Sequence, residues 1–110
     1  MCIALIAYNY FDNFPLVILS NRDEYHSRCT KKAHFWEEYP DILAGRDLEQ
    51  GGTWFGINKK NGRIGLLTNF REPNQDPKKK SRGSLIVDFL VGNFTDKEYL
   101  YTLKKTAKKI

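Results

Sequence analysis

Cysteine is scarce in this chain of 110 residues, which contains only Cys2 and Cys29. Two cysteines cannot form the set of several disulfides that stabilises small secreted proteins, so a disulfide-rich scaffold is excluded. We therefore predict a protein of a reducing compartment, with the cytoplasm as its default location. Histidine is equally rare, and His26, Cys29 and His34 lack the further ligand and the regular spacing of a zinc site, so we predict no metal.

Long apolar runs are missing as well. No stretch approaches the roughly 20 apolar residues that cross a membrane, so we expect no integral membrane segment. The short apolar start has no basic flank and no cleavage motif, so we also expect no targeting signal.

Positive charge is in mild excess, with 18 basic and 13 acidic residues and a formal net charge of +5. The excess is local, because lysines cluster at 78–80 and again at 104, 105, 108 and 109. Such clusters are typical of a solvated surface, whereas nucleic-acid binding needs one basic face with interleaved aromatic residues. We predict no nucleic-acid partner. A nucleic-acid module, which would bind with a steep salt dependence, is the less favoured alternative.

Four apolar segments predict β-strands, at residues 3–10, 16–19, 53–58 and 63–69. A turn near Asp12 and Asn13 separates the first two, and the Asn61-Gly62 turn separates the last two, so we predict two hairpins. The continuous apolar run at 16–19 is typical of a strand buried on both faces, although a short helix has the same pattern. Residues 25–48 have mixed polarity, and we predict an ordered loop anchored by Phe35, Trp36 and Tyr39.

Two amphipathic helices are predicted after a polar surface loop at residues 72–80. Ser81 is the expected N-cap of the first helix, and Thr95 with Glu98 forms a capping box for the second. The first helix has an apolar face made by Leu85, Ile86, Phe89 and Leu90, and the second by Leu100, Leu103 and Ala107.

Strands followed by helices predict an α+β fold, an antiparallel sheet with helices on one face. The apolar content of 41% is sufficient for a core, and the length is that of one domain. Two helices cover only one face of a sheet, however, so we expect residues 1–110 to be an incomplete domain. Its exposed apolar sheet would then bind a missing C-terminal part or a second copy of the chain.

The polar tetrad, defined as Asn21-Arg22-Asp23-Glu24, directly follows the second apolar segment. Because unpaired buried charges are costly, these residues either leave the fold into solvent or are held by partners at a site. A hairpin of the first two strands would place the tetrad beside Cys2. A thiol, a guanidinium and carboxylates would then lie close together, which predicts a reactive site.

Cys2 is the candidate nucleophile of that site. If Met1 is removed, the free α-amine of Cys2 can accept the proton of its own thiol and pass it to a leaving amine. Arg22 would favour the reactive thiolate, and Asp23 would orient the amine. The alternatives are a small apolar cysteine at a strand start and an Arg22–Asp23 ion pair that only fixes a loop.

Further candidates lie along the chain. Asn69 could donate its amide to a tetrahedral oxyanion, or could simply form a turn. Asn21, Trp54 and Arg82 are candidates for substrate binding. Arg82 lies where a helix start can bind an anion, and ordinary helix capping is the alternative.

Five motifs, taken in order, resemble the transport and Golgi organisation protein 2 family, which is also called the NRDE family. They are Met1-Cys2, the tetrad, and residues 51–56, 67–69 and 81–83. The resemblance extends from Met1 to about Leu103. Members are usually much longer, so the chain looks like their N-terminal portion.

That family is in turn similar to the N-terminal-nucleophile amidohydrolases, in particular the choloylglycine and penicillin V acylases. The resemblance implies that Cys2 is the nucleophile, that Asp23 binds its amine and that Asn69 contributes to the oxyanion hole. It also implies an αββα sandwich, of which this chain forms one sheet and its helices. The acylases have an arginine where Ser20 stands here, so Arg22 would have to substitute for it.

Two functions follow from these observations. The first is an amidase-like hydrolase of a linear C–N bond, with little turnover if the chain ends at Ile110. The second is a non-catalytic protein that binds haem or another hydrophobic ligand, with Trp36, Trp54 and Phe55 lining the pocket. The iron of a haem would take its ligand from among His26, His34, Cys2 and Cys29. The resemblance links the second function to transport and Golgi organisation, and it suggests no cofactor beyond haem as a ligand.

Overall fold

The computed structural model describes residues 1–70, 76 and 78–107. Within them the chain forms six strands followed by two helices, which confirms the α+β class. The strands are β1 (Ala4–Phe11), β2 (Phe14–Ser20), β3 (Thr30–Phe35), β4 (Ile42–Asp47), β5 (Phe55–Asn58) and β6 (Ile64–Leu66). The helices are α1 (Gly83–Val91) and α2 (Asp96–Thr106). Most of the predicted surface loop at 72–80, and the lysines at 108 and 109, lie outside the described residues.

The strands make two antiparallel sheets. β1 and β2 form a hairpin by themselves, and the other strands form a four-stranded sheet in the order β3-β4-β5-β6. Both predicted hairpins are therefore present. The second turns at Gly62, whose φ of 72° is a conformation that glycine adopts at little cost. The strand predicted at 63–69 is shorter than expected and ends at Leu66.

The predicted loop at residues 25–48 is wrong, because β3 and β4 lie in it. β3 has the sequence TKKAHF and is mostly exposed, so it has none of the apolar alternation that identifies a strand. In β4, Ile42 and Ala44 alternate into the core, which is the signal that sequence reasoning missed. Of the three predicted aromatic anchors only Trp36 is buried, with 1% of its surface exposed.

The core lies between α1 and the four-stranded sheet. Its buried residues are Trp36, Ile42, Ala44, Ile86 and Leu90. The apolar face predicted for α1 is therefore confirmed, since Ile86 and Leu90 are buried and Phe89 packs against them. The helix sits close to the sheet because β5 has Gly56 there, where a Cβ atom would lie 2.9 Å from Leu90.

The two helices begin differently. The N-cap of α1 is Arg82, whose side chain makes no capping hydrogen bond, so the prediction of Ser81 as N-cap is wrong. Ser81 Oγ instead accepts the N–H of Gly83 at 3.3 Å. The capping box of α2 is confirmed, because Glu98 N–H donates to Thr95 Oγ1 while Thr95 N–H donates to the Glu98 carboxylate.

The predicted apolar side of α2 does not pack as a continuous face. Leu100 is 64% exposed and Ala107 is exposed, while Leu103 is half-buried. The helix is attached through Tyr99, whose hydroxyl donates to the Leu85 carbonyl at 2.6 Å and whose ring stacks on Phe94. No helix among the described residues is long and apolar enough to cross a membrane.

The β1–β2 hairpin exposes apolar side chains on both of its faces. Leu5 and Leu19 are cross-strand partners, and each is 63% exposed. The prediction that residues 16–19 are buried on both faces is therefore wrong, because the core forms on the other sheet. The other large apolar residues exposed on the hairpin are Ile6, Tyr8, Tyr10, Phe11, Phe14 and Leu16, and Ile3 is exposed directly before β1.

We expect this surface to make the 110-residue chain self-associate, since exposed apolar patches of this kind favour association. Sedimentation velocity over a range of protein concentrations measures it. Replacing the Leu5–Leu19 pair by Leu5→Glu and Leu19→Lys keeps a favourable cross-strand pair and should shift the distribution toward monomer. A monomer at every concentration in the unmodified chain would contradict the prediction.

Candidate active site

Asn21 fixes the first three residues of the chain. β2 ends at Ser20 opposite Ala4, so Asn21 lies beside Ile3 and its N–H donates to the Ile3 carbonyl at 3.2 Å. The Asn21 side chain accepts the Ile3 N–H at 2.6 Å and donates to the Met1 carbonyl at 3.0 Å. The backbone on both sides of Cys2 is therefore held by one residue of the tetrad.

Asp23 contacts Cys2 and the chain terminus together. Its backbone N–H donates to Cys2 Sγ at 3.4 Å, and its carboxylate forms an ion pair with the Met1 ammonium group. Cys2 is half-buried, so its thiol lies at the rim of the fold and not inside it. Thiol, amine and carboxylate meet at one end of the hairpin, where the sequence predicts them.

Arg22 links the hairpin to the four-stranded sheet. Its guanidinium lies 4.5 Å from the centre of the Trp54 ring and 4.0 Å from Glu24 Oε2. One face of Trp54 is thus covered by Arg22, and the edge of the ring lies against Gly45, where a Cβ atom would be 2.7 Å away. The predicted effect of Arg22 on the thiol stays a prediction, as does substrate binding by Asn21 and Trp54.

Arg28 and Asp47 attach the segment after the tetrad to the end of β4. Arg28 Nη2 and Nε donate to Asp47 Oδ2 at 2.6 and 3.1 Å. Burial raises the pKa of the Asp47 carboxyl, but the bonds from Arg28 and from the Glu49 N–H outweigh burial and hold this pKa below its ordinary value. Sequence reasoning missed this pair, because residues 25–48 were predicted to be a loop and no local pattern connects residues 19 apart.

Asn69 and Arg82 contact each other. Arg82 Nη2 donates to Asn69 Oδ1 at 2.5 Å, and Arg82 Nη1 donates to the Phe70 carbonyl at 3.2 Å. Both residues are candidates from the sequence with separate roles, so their contact is a finding of the structure. The roles themselves stay predictions.

Three of the sequence motifs converge on this contact. Thr53 N–H donates to the Gly83 carbonyl at 3.3 Å, and a Cβ atom at Gly52 would lie 2.6 Å from the Gly83 backbone, so only glycine fits there. Leu67 N–H donates to the Trp54 carbonyl at 2.9 Å. Residues 51–56, 67–69 and 81–83 therefore form one connected group, which Arg22 joins to the tetrad through Trp54.

One of the residues suggested to line a haem pocket is part of the core. Trp36 belongs to the core, and its Nε1–H donates to the Ala44 carbonyl at 3.1 Å, so the prediction that it lines a pocket is wrong. His34 Nδ1 lies 2.7 Å from the Lys32 carbonyl, and His26 is exposed. Among residues 1–70, 76 and 78–107, no three His, Cys, Asp or Glu side chains are grouped to hold a metal ion.

An open cleft of about 290 Å³ lies elsewhere, on the four-stranded sheet. It is lined by Lys31, His34, Phe35, Glu37, Glu38, Arg46 and Leu48. Its lining includes neither Cys2 nor any residue of the tetrad, so it is separate from the thiol site.

Comparison with known proteins agrees with the motifs. Residues 1–110 match the family described as Transport and Golgi organisation 2. The chain is 40% identical over 90 residues to the Mus musculus Transport and Golgi organization 2 homolog, covering 79% of this chain and 32% of that protein. It is also 40% identical over 97 residues to the Homo sapiens homolog, covering 86% of this chain and 34% of that protein. The Drosophila melanogaster Transport and Golgi organization protein 2 is 32% identical over 82 residues, with 70% and 29% covered.

The chain thus spans about a third of the length of these curated relatives. The family match extends over every residue of the chain, from the Met1-Cys2 start to the end of α2 and beyond. The chain therefore belongs to the Transport and Golgi organisation 2 family.

Proposed function

We propose that this protein is a cysteine-dependent amidohydrolase that cleaves a linear C–N bond, with Cys2 as its nucleophile. The observation that carries the proposal is the double contact of Asp23, whose N–H meets Cys2 Sγ while its carboxylate pairs with the amine of the chain. A nucleophile next to a proton acceptor that is itself oriented by a third group is the arrangement that covalent catalysis needs.

Removal of Met1 would complete the nucleophile. The new α-amine would then belong to Cys2 itself, next to its own Sγ and one residue from the present ammonium group. Asn21 would still hold Ile3 after Met1 and its carbonyl have left, because its Oδ1 accepts the Ile3 N–H at 2.6 Å and its own N–H donates to the Ile3 carbonyl at 3.2 Å. The Asp23 carboxylate would hold the amine in reach of the thiol.

The proposed reaction has two steps. The Cys2 amine takes the thiol proton, and Sγ attacks the amide carbon to form a tetrahedral oxyanion. The C–N bond then breaks, the leaving nitrogen takes that proton, and a thioester remains on Cys2. Water hydrolyses the thioester in the second step, which returns the thiol and releases a carboxylic acid. In both steps the Asn69 amide would donate to the oxyanion.

Acylation of the purified chain tests this proposal. Intact-mass spectrometry shows whether Met1 has been removed, and 4-nitrophenyl acetate serves as the acylating probe. We expect one burst of 4-nitrophenol per chain and an acetyl group on Cys2, with turnover much slower than the burst. In Cys2→Ala the burst rate should fall by about 100-fold or more.

Cys29 provides a matched control, because it is a free and exposed thiol of the same chain. Cys29→Ala should keep the burst, since an ordinary surface thiol lacks the oriented amine. Retention of Met1, or equal acetylation of Cys2 and Cys29, would count against the proposal. Once the protein is shown to be acylated, measuring its hydrolysis of linear N-acyl amines identifies the substrate class.

A second function is favoured by the apolar hairpin. Leu5, Ile6 and Leu19 are each 63% exposed, and such a surface suits a hydrophobic ligand or the transport role that the names of the relatives suggest. Haem binding in the cytoplasm is the specific form of this alternative. Titration of haem, followed by absorbance in the wild type, His26→Ala and Cys2→Ala, tests it, and a featureless titration would exclude it.

A further inference from the structure

We infer that Arg82 is a positioning residue, which orients the Asn69 side-chain amide so that its NH2 group can donate to the oxyanion formed at Cys2. This inference rests on the proposed function, because it concerns the same reaction. It gives Arg82 a role different from the substrate binding that the sequence suggested.

The orientation of the Asn69 amide follows from the chemistry of its neighbour. A guanidinium group has five N–H donors and no acceptor, so the atom that faces Arg82 Nη2 at 2.5 Å must be the amide oxygen. A rotated amide would place two donors against each other and would lose a charge-assisted hydrogen bond. Arg82 therefore determines which end of the amide faces away from it.

Arg82 holds the backbone beside Asn69 as well. Its second nitrogen, Nη1, donates to the Phe70 carbonyl at 3.2 Å. One planar fork thus spans the side chain of one residue and the carbonyl of the next. Lysine cannot reproduce this, because its ammonium group is a single point charge without the fork geometry.

Arg82 is itself anchored. It directly precedes α1, whose first residue, Gly83, accepts the Thr53 N–H at 3.3 Å and lies against Gly52. Arg82 as a whole residue is half-buried at this junction. The backbone from which the Arg82 side chain extends is therefore fixed by the contact of Gly83 with Gly52 and Thr53.

The other end of the amide is available for a substrate. Within residues 1–70, 76 and 78–107, Asn69 Nδ2 donates to no protein acceptor, while Oδ1 is occupied by Arg82. Without Arg82 the amide could rotate and present its oxygen to the oxyanion, which is repulsive. Loss of Arg82 should therefore weaken oxyanion stabilisation without altering the thiol.

Two reactions of the same thiol separate these effects. Acetylation by 4-nitrophenyl acetate passes through a tetrahedral oxyanion, whereas alkylation by iodoacetamide is a direct displacement that forms none. We expect Arg82→Gln to lower the acetylation rate of Cys2 by about 10- to 100-fold, which is less than complete removal of one oxyanion donor. The alkylation rate of Cys2 should change by less than about twofold, because the thiol keeps its contacts with Asp23.

A double-mutant cycle identifies the route of the effect. Asn69→Ala should lower the ratio of acetylation to alkylation at least as much as Arg82→Gln does. Arg82→Gln added to Asn69→Ala should then cause no further loss, because the amide that it positions is absent. Arg82→Lys, which keeps the charge and one donor, should recover part of the ratio.

The outcomes distinguish this inference from the proposed function. If wild-type Cys2 is not acetylated, the proposed function fails and the inference fails with it. If wild-type Cys2 is acetylated but the ratio is unchanged in folded Arg82→Gln, only the inference is overturned. Equal losses in both rates would also overturn it, since they indicate a structural role, and a melting curve for each variant checks folding. If Arg82→Gln does not fold, Arg82→Lys replaces it in the double-mutant cycle. A ratio of acetylation to alkylation in Arg82→Lys that equals the wild-type ratio then overturns the inference.

Discussion

Asp23→Asn should lower the acylation rate of Cys2 by about 100-fold, at the lower end of what a positioned proton acceptor contributes. The side-chain charge that holds the amine is lost, while the backbone N–H that contacts Cys2 Sγ at 3.4 Å is unchanged. The thiol environment is therefore largely preserved, and the amine is no longer fixed beside it. The burst of 4-nitrophenol, followed by stopped flow, measures the rate.

Asp12→Asn is the matched control for this variant. Asp12 is exposed in the turn at the opposite end of the same hairpin, so its replacement removes one negative charge without touching the site. Its burst rate should equal that of the wild type. Equal rates in wild type and Asp23→Asn would show that the ion pair with the chain terminus only stabilises the fold.

Arg28→Ala should destabilise the protein by about 3 kcal/mol, because it leaves a buried carboxylate without its partner. Asp47 is 7% exposed and receives two hydrogen bonds from Arg28. Urea unfolding at neutral pH measures the free energy of unfolding. Lys59→Ala is the control, because Lys59 pairs with Asp41 at 3.9 Å where both side chains are exposed, and such pairs contribute at most about 1 kcal/mol.

The pH dependence of the free energy of unfolding of Arg28→Ala gives a second test. In the wild type the pKa of Asp47 lies below its ordinary value, so its contribution to stability is complete above about pH 4 and is lost as the pH falls further. In Arg28→Ala burial still raises the pKa of Asp47, and its strongest opposing contribution is lost although the bond from the Glu49 N–H remains, so the pKa should rise relative to the wild type and protonation should relieve part of the penalty. The stability difference between the two proteins should shrink as the pH is lowered toward 4. A difference that stays constant with pH would contradict this account.

Local patterns predicted the part of the site that lies on the hairpin. Apolar runs on both sides of a turn must pair with their ends together, which places Cys2 beside Asp23 without any knowledge of the rest of the fold. The capping box of Thr95 and Glu98 was equally predictable, since both of its hydrogen bonds join residues three apart. Short-range geometry of this kind is contained in the sequence itself.

Contacts between distant segments were not predictable. Arg82 and Asn69 are 13 residues apart, and their pairing depends on how α1 packs against the four-stranded sheet. β3 was missed because its exposed residues need no apolar pattern when β4 supplies the hydrogen bonds. The exposure of Leu19 was also missed, since an apolar run does not say whether another part of the protein covers it.

The two parts of the proposed reaction centre belong to different sheets of the fold. The Cys2 sulfur lies at the end of the β1–β2 hairpin, while the Asn69 amide follows β6 of the four-stranded sheet. Arg22, which packs on Trp54, connects the two sheets next to the tetrad. The exposed Leu5–Leu19 pair of the hairpin lies next to the Ala4–Ser20 pair, and thus at the same end of the hairpin as the sulfur. A partner that covered this leucine pair would therefore lie beside the reaction centre and would restrict the access of a substrate to the sulfur.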